Sequence, residues 1–173
     1  MNQSNRPRVQ FITSSGTIIV ELYPDKAPLT VENFLTYIHD HFYDNTVFHR
    51  VIASFIIQGG GFETGMIQKA TRAPIRNEAK HALLNARGTI AMARLPDDPH
   101  SAAAQFFINV RDNDDVLDFS EETPEGWGYC AFGKVIDGMP VVERITSVVN
   151  STIGQHQNVP TREVVVEKAE MLS

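Results

Sequence analysis

The stretch from Val47 to Phe62, Val-Phe-His-Arg-Val-Ile-Ala-Ser-Phe-Ile-Ile-Gln-Gly-Gly-Gly-Phe, constrains this chain more than any other. Its runs of Val, Ile and Phe, bounded by small residues, read as buried strands. Arg50 stands among them, and an arginine is rarely buried without a partner. Gln58, eight residues on, is the candidate partner. Gly59, Gly60 and Gly61 remove side chains, so another backbone can come close. A greasy floor, one fixed donor fork and a bare backbone edge suit an extended peptide better than a phosphate or a metal.

The rest of the chain reads around that centre. Val9 and Phe11, then Ile18, Val20 and Leu22, alternate with polar residues on either side of Ser14-Ser15-Gly16, which predicts a β-hairpin with one buried face. Pro28 suits the first turn of a helix. Val31, Phe34, Leu35 and Ile38 follow at the i, i+3, i+4, i+7 spacing of an apolar stripe, and His39-Asp40-His41 closes it. Residues 62–88 read as a long surface excursion, and 112–128 as a solvated acidic loop. Strands are predicted at Thr89–Ala93, Gln105–Val110, Tyr129–Val135 and Glu163–Leu172, and a second helix over Gly138–Val148. Phe106 and Phe107, being adjacent in a strand, must face opposite sides. Many short strands and two helices predict a mainly antiparallel sheet or barrel.

With 173 residues the chain is expected to form one domain, residues 7–173, behind a polar tail of residues 1–6. The net charge of −6 argues against a nucleic-acid or anionic-membrane partner. The single cysteine, Cys130, excludes an internal disulfide and offers no zinc framework. No run approaches the ~20 apolar residues of a membrane helix. The first residues hold no apolar core of a secretory signal. A cytoplasmic protein without metal or cofactor is therefore the expectation. The Asn-x-Ser/Thr triplets at Asn2 and Asn150 are read as chance matches.

Several familiar patterns fail. No Lys-Ser or Lys-Thr follows the three glycines, so they are not a phosphate loop. Asp112-Asn113-Asp114 opens like a calcium loop, but Leu117 stands where glycine is needed and Thr123 where glutamate is. His39 and His41 lie two apart on a helix, on different sides. Asp97, Asp98, His100 and Ser101 supply hydrolase residue types without a nucleophile elbow. His49 reads as a core or supporting histidine rather than a base. Phe55, Phe107 and Tyr129 are plain core on composition alone.

Taken together, Val47-Phe48-His49-Arg50-Val51-Ile52, Phe55 to Gly60, Gly88 to Ala93 and Ala104 to Ile108 resemble the cyclophilins, peptidyl-prolyl cis-trans isomerases. Gly126-Trp127-Gly128-Tyr129-Cys130 resembles their bacterial cytoplasmic branch. The resemblance implies a closed eight-stranded antiparallel barrel with a helix at each end. It implies catalysis by Arg50, with Gln58 and Gln105 holding Arg50 and the substrate backbone. Phe55, Phe107 and Leu117 would hold the proline ring, with Ile56 beside them. His49, Gly60, Ala93, Arg94 and Tyr129 would complete the substrate site. Arg94 stands where asparagine is common, Ile56 where methionine is, and Tyr129 where many members have histidine. Ser54 replaces a common glycine and Ala104 a common serine. Val116 stands where many eukaryotic members have the tryptophan that supports cyclosporin binding, so that affinity is expected to be weak. Expected partners are proline-containing peptides and unfolded proteins, met by a monomer. The competing readings are a proline-binding module without turnover, a chaperone-like assembly partner and, more remotely, a hydrolase.

Overall fold

Alternating apolar and polar residues make Arg8–Thr13 and Gly16–Leu22 an antiparallel hairpin, β1 and β2, with Val9, Phe11, Ile18, Val20 and Leu22 buried on one face. In the computed structural model, which describes residues 6–172, this hairpin lies mid-way along a curled sheet. The other strands are β3 (Thr46–Val47), β4 (Arg50–Ile52), β5 (Ile56–Gly59), β6 (Phe62–Glu63), β7 (Ile67–Gln68), β8 (Thr89–Met92), β9 (Phe106–Asn109), β10 (Ala131–Asp137), β11 (Asn150–Ile153), β12 (His156–Pro160) and β13 (Val165–Leu172). Helices are α1 (Pro28–His39), α2 (Asp114–Leu117) and α3 (Met139–Thr146).

The pairing order is β4-β5-β9-β8-β10-β2-β1-β13-β3-β6-β7, eleven strands paired antiparallel throughout. This corrects the expected closed ring of eight. One chain segment, Thr46 to Ile52, is split at Phe48-His49. Its first half pairs with β13 and its second with β5. The two corner residues belong to neither ladder, although the Phe48 N–H donates to Val164 O at 3.0 Å. The sheet therefore curls back towards its start while the order keeps two ends. β11 and β12 form a separate hairpin. Among the described residues there are three α-helices rather than two, the added one being the short α2, and one 3-10 turn at Ala79–His81.

The rings of Phe11, Phe34, Tyr43, Phe48, Phe106 and Phe132 interlock on the inner face of the curl. Helix α1 brings Phe34, and α3 brings Val142 and Ile145. Glu78 caps α1 from far along the chain. Its carboxylate accepts from the Leu29 and Thr30 N–H groups at 3.2 and 2.8 Å. Gly138 (φ 100°) precedes α3 as its cap, and a Cβ there would lie 2.4 Å from Thr17 O. As the strand alternation requires, Phe107 turns away from Phe106. It joins a smaller cluster with Ile56, Ala91 and Ala131, flanked by Phe55, Leu117 and Tyr129. That second face carries the site.

Two loop expectations need correction. The 62–88 segment buries Asn77, Ala79 and Asn85, and the acidic 112–128 segment buries Asn113 and Trp127. Both are pinned by buried polar groups, which apolar periodicity cannot report. Of the expected tail, residues 1–5 lie outside the described residues, as does Asn2. Arg6 is placed, 3.9 Å over the Tyr23 ring and 3.6 Å from Asp25. Among the described residues no helix is long and apolar enough to cross a membrane.

Candidate active site

One row of side chains crosses four strands on the outer face. Arg50 on β4 is the register partner of Gln58 on β5, Gln58 of Phe107 on β9, and Phe107 of Ala91 on β8. Directly opposed residues share a face and touch. The row therefore places a cation, an amide, an aromatic ring and a methyl group side by side. Arg50 Nη1 donates to Gln58 Oε1 at 3.1 Å, and Gln58 Nε2 donates to Gln105 Oε1 at 2.9 Å. Gln105 reaches this position across Gly61, where a Cβ would lie 2.5 Å from Gln105 Cγ. Among the described residues Arg50 forms no ion pair. Its remaining donors are left for something else.

Arg50, Gln58 and Phe107 of this row floor a cavity of about 1040 Å³. Phe55, Ile56 and Leu117 wall it beside Phe107, and Ala93, Arg94 and Tyr129 close one end. The Tyr129 ring packs edge-on to Phe107, with centroids 5.7 Å apart. Arg94 lies over Tyr129 at 4.9 Å and donates from Nη2 to Pro124 O at 2.6 Å, while its Nε and Nη1 are buried without a partner. Of the residues expected at the site, only Gly60 does not line the cavity. It sits behind the floor with φ 89°, and a Cβ there would meet the Phe106 ring at 2.8 Å. Val116, 58% exposed, is also outside the cavity lining.

His49 is 6% exposed and packs against Phe62 at 4.6 Å, with His156 at 6.5 Å. Burial pushes its imidazole down to about 4, helped by His156 and Arg50. It is therefore neutral at pH 7 and lines the cavity as a ring, with Nδ1 buried and unpartnered. His100 and Ser101 form no catalytic pair. His100 Nδ1 accepts from the Asn77 N–H at 3.1 Å, and the Ser101 hydroxyl donates to Asp98 O at 2.7 Å.

Behind the aromatic wall runs a chain of buried amides. Asn113 Nδ2 donates to Phe55 O and to Asn109 Oδ1, at 3.0 and 2.9 Å. Asn109 Nδ2 donates to Asn85 Oδ1 and Thr89 Oγ1, at 3.0 and 2.9 Å. Asn85 Nδ2 reaches Tyr129 O at 3.0 Å and Leu117 O at 3.4 Å. Three wall residues, Phe55, Leu117 and Tyr129, are thus tied through their carbonyls to one network.

A family model described as cyclophilin type peptidyl-prolyl cis-trans isomerase/CLD matches residues 8–171. The chain belongs to the cyclophilin-type peptidyl-prolyl cis-trans isomerase family. It is 57% identical over 159 residues to peptidyl-prolyl cis-trans isomerase B of Escherichia coli K12, covering 92% of this chain and 96% of that protein. It is 52% identical over 164 residues to peptidyl-prolyl cis-trans isomerase cyp18 of Streptomyces antibioticus, covering 95% and 98%. A crystal structure of a Cryptosporidium parvum cyclophilin in the presence of the dipeptide Ala-Pro superposes with a TM-score of 0.77 at 25% identity, covering 96% of this chain and 99% of that one. The chain is accordingly a peptidyl-prolyl cis-trans isomerase.

Sequence reasoning missed two parts of this cyclophilin. One is the amide chain, whose only sequence signal was an asparagine inside the apolar run Phe106-Phe107-Ile108-Asn109-Val110. The other is the β11–β12 hairpin, whose Gln155, His156, Gln157 and Asn158 bound the cavity on the far side of Arg50. Its polar strands carry no apolar alternation to reveal them.

Proposed function

We propose that this cavity is where the isomerase turns X-Pro bonds, with Arg50 as the catalytic residue. The observation that carries the proposal is the guanidinium itself. It is anchored by Gln58, free of any carboxylate among the described residues, and opens beside an aromatic hollow.

The chemistry requires rotation without bond cleavage. Amide resonance sets a barrier of about 18–20 kcal/mol. The two X-Pro isomers differ by only ~0.5–1 kcal/mol yet exchange over tens to hundreds of seconds. In the twisted amide the nitrogen lone pair leaves resonance and accepts a hydrogen bond; in the planar amide it hardly does. A donor at that nitrogen therefore favours the transition state selectively. Arg50 supplies it, with Gln58 fixing one edge of the fork and Gln105 positioned for the substrate backbone.

One hydrogen bond is too small for the task. Going from ~100 s to ~1 ms is a factor of about 10⁵, or roughly 7 kcal/mol. A charged hydrogen bond contributes about 1.5–3 kcal/mol. The rest comes from holding the ring while the preceding carbonyl swings, and from excluding water from an amide that loses polarity as it twists. Phe55, Phe107 and Leu117, with Ile56 at their side, hold the ring. The Ala93–Arg94 backbone and Tyr129 line the approach.

The proposal includes a single catalytic domain over residues 7–173, acting as a cytoplasmic monomer on unfolded or extended segments. The curl acts as a barrel, its closure made by the covalent link at Phe48-His49. Weak affinity for cyclosporin-type ligands is part of the same reading, supported by Val116 lying outside the cavity. A protease-coupled assay on a proline tetrapeptide tests the roles. Arg50→Ala is expected to lower kcat by orders of magnitude with the circular dichroism unchanged. Phe107→Ala is expected to lower kcat/KM at least ten-fold. Full activity in either variant would remove the corresponding role.

A further inference from the structure

We propose that the β11–β12 hairpin is a second peptide-binding wall, which takes the extended main chain of a substrate on the side of the proline away from Ala93. This rests on the cavity being the isomerase groove. At about 1040 Å³ the cavity reaches the upper end of pockets that hold whole drug-sized ligands. One proline ring leaves much of it empty, and the part beyond Arg50 is bounded by Gln155, His156, Gln157 and Asn158.

The hairpin is held in place and yet presents free polar surface. β4 is the edge strand of the sheet, and an edge strand needs covering. Asn150 Nδ2 donates to Val51 O on that strand at 2.6 Å. The Thr161 N–H closes the hairpin base on Val149 O at 2.8 Å. The His156 ring meets Phe62 edge-on at 5.1 Å. Gln155, His156 and Gln157 are nevertheless exposed. A side-chain amide offers donors and an acceptor, as a peptide group does. A wall with two glutamines and an asparagine and no Lys, Arg, Asp or Glu among residues 155–158 matches main chain rather than a charged side chain.

Sheet geometry sets the reach. Three strand spacings of ~4.8 Å separate β8 from β4 in the order β4-β5-β9-β8, about 14 Å, and the hairpin packs against β4, the strand at that end of the order. An extended chain advances ~3.3 Å per residue. A substrate therefore needs at least about four residues to run from Ala93 past Arg50, and more to reach the hairpin.

Two peptides test this, a tripeptide and a decapeptide each with a central proline. In the wild type, backbone NMR signals of residues 151–158 are expected to shift with the decapeptide and not with the tripeptide. In the triple variant Gln155→Ala, His156→Ala, Gln157→Ala, KM for the decapeptide is expected to rise about five- to ten-fold. KM for the tripeptide should change less than two-fold. Unshifted hairpin signals at saturating decapeptide, or equal KM changes for both peptides, would overturn the proposal. The first readout needs no variant, so it stands even if the triple variant folds poorly. Failure of the groove reading looks different: Arg50→Ala would then leave exchange of both peptides at the wild-type rate.

Discussion

At the scale of single residues, the site depends on side chains whose surroundings set their chemistry. His49 is the titrating case. Its folded imidazole is pushed down to about 4, against ~6.5 when unfolded. Above pH 6.5 neither state carries the proton, so stability is insensitive to this group. Between pH 6.5 and 4 the unfolded chain binds a proton that the folded one refuses. Stability is lost over that window, by about 3 kcal/mol in all at ~1.4 per unit. Denaturant midpoints at pH 7 and pH 4.5 are expected to differ less in His49→Phe than in the wild type; identical pH slopes would refute this. Gly61 acts through space alone. A Cβ there would displace Gln105 from Gln58, so Gly61→Ala is expected to lower kcat/KM about ten-fold with the fold intact. A peptide assay beside a thermal melt checks it, and wild-type kcat/KM would show that the Gln105 position is immaterial.

At the scale of elements, the predictable parts were those written in apolar spacing. The β1–β2 hairpin, α1 and the strand carrying Phe106 and Phe107 announce themselves by period and alternation. Arg50 and Gln58 could be paired from their separation because two short strands joined by a tight turn bring them into register. The turn holds Ser54 at φ 61°, in the left-handed region that favours glycine. What stayed hidden was held by amides. Asn85, Asn109 and Asn113 look like loop or strand-end residues until tertiary structure brings them together, and no local pattern encodes their meeting. Asn109→Ala would leave the Asn85 side-chain carbonyl without its donor in the interior and would remove one hydrogen bond each from Asn113 Nδ2 and from the Thr89 hydroxyl, which still donates to Ala86 O. Each buried unsatisfied group costs about 1–3 kcal/mol. Chemical denaturation is expected to show a loss of at least about 2 kcal/mol; a loss below ~0.5 kcal/mol would mean that the network is not what braces the wall.

At the scale of the whole molecule, the curl of the sheet is what turns separate motifs into a site. It sets one face against α1 and α3 and leaves the other to carry the row from Arg50 to Ala91. The way the sheet curls could not be read from the chain, because it depends on how one segment divides at Phe48-His49 between two ladders. The family resemblance supplied the barrel, and the pairing order then replaced eight closed strands with eleven in an open order. The function rests on one claim, that a fixed guanidinium stabilises the prolyl nitrogen at the midpoint of rotation. The most direct test is the cis-trans exchange rate of a proline peptide at saturating enzyme, measured by NMR for the wild type, Arg50→Ala and Arg50→Lys. Exchange is expected to fall at least a hundred-fold in Arg50→Ala, with only partial recovery in Arg50→Lys, whose point charge lacks the anchored fork. Bound-state exchange at the wild-type rate in Arg50→Ala would contradict the account.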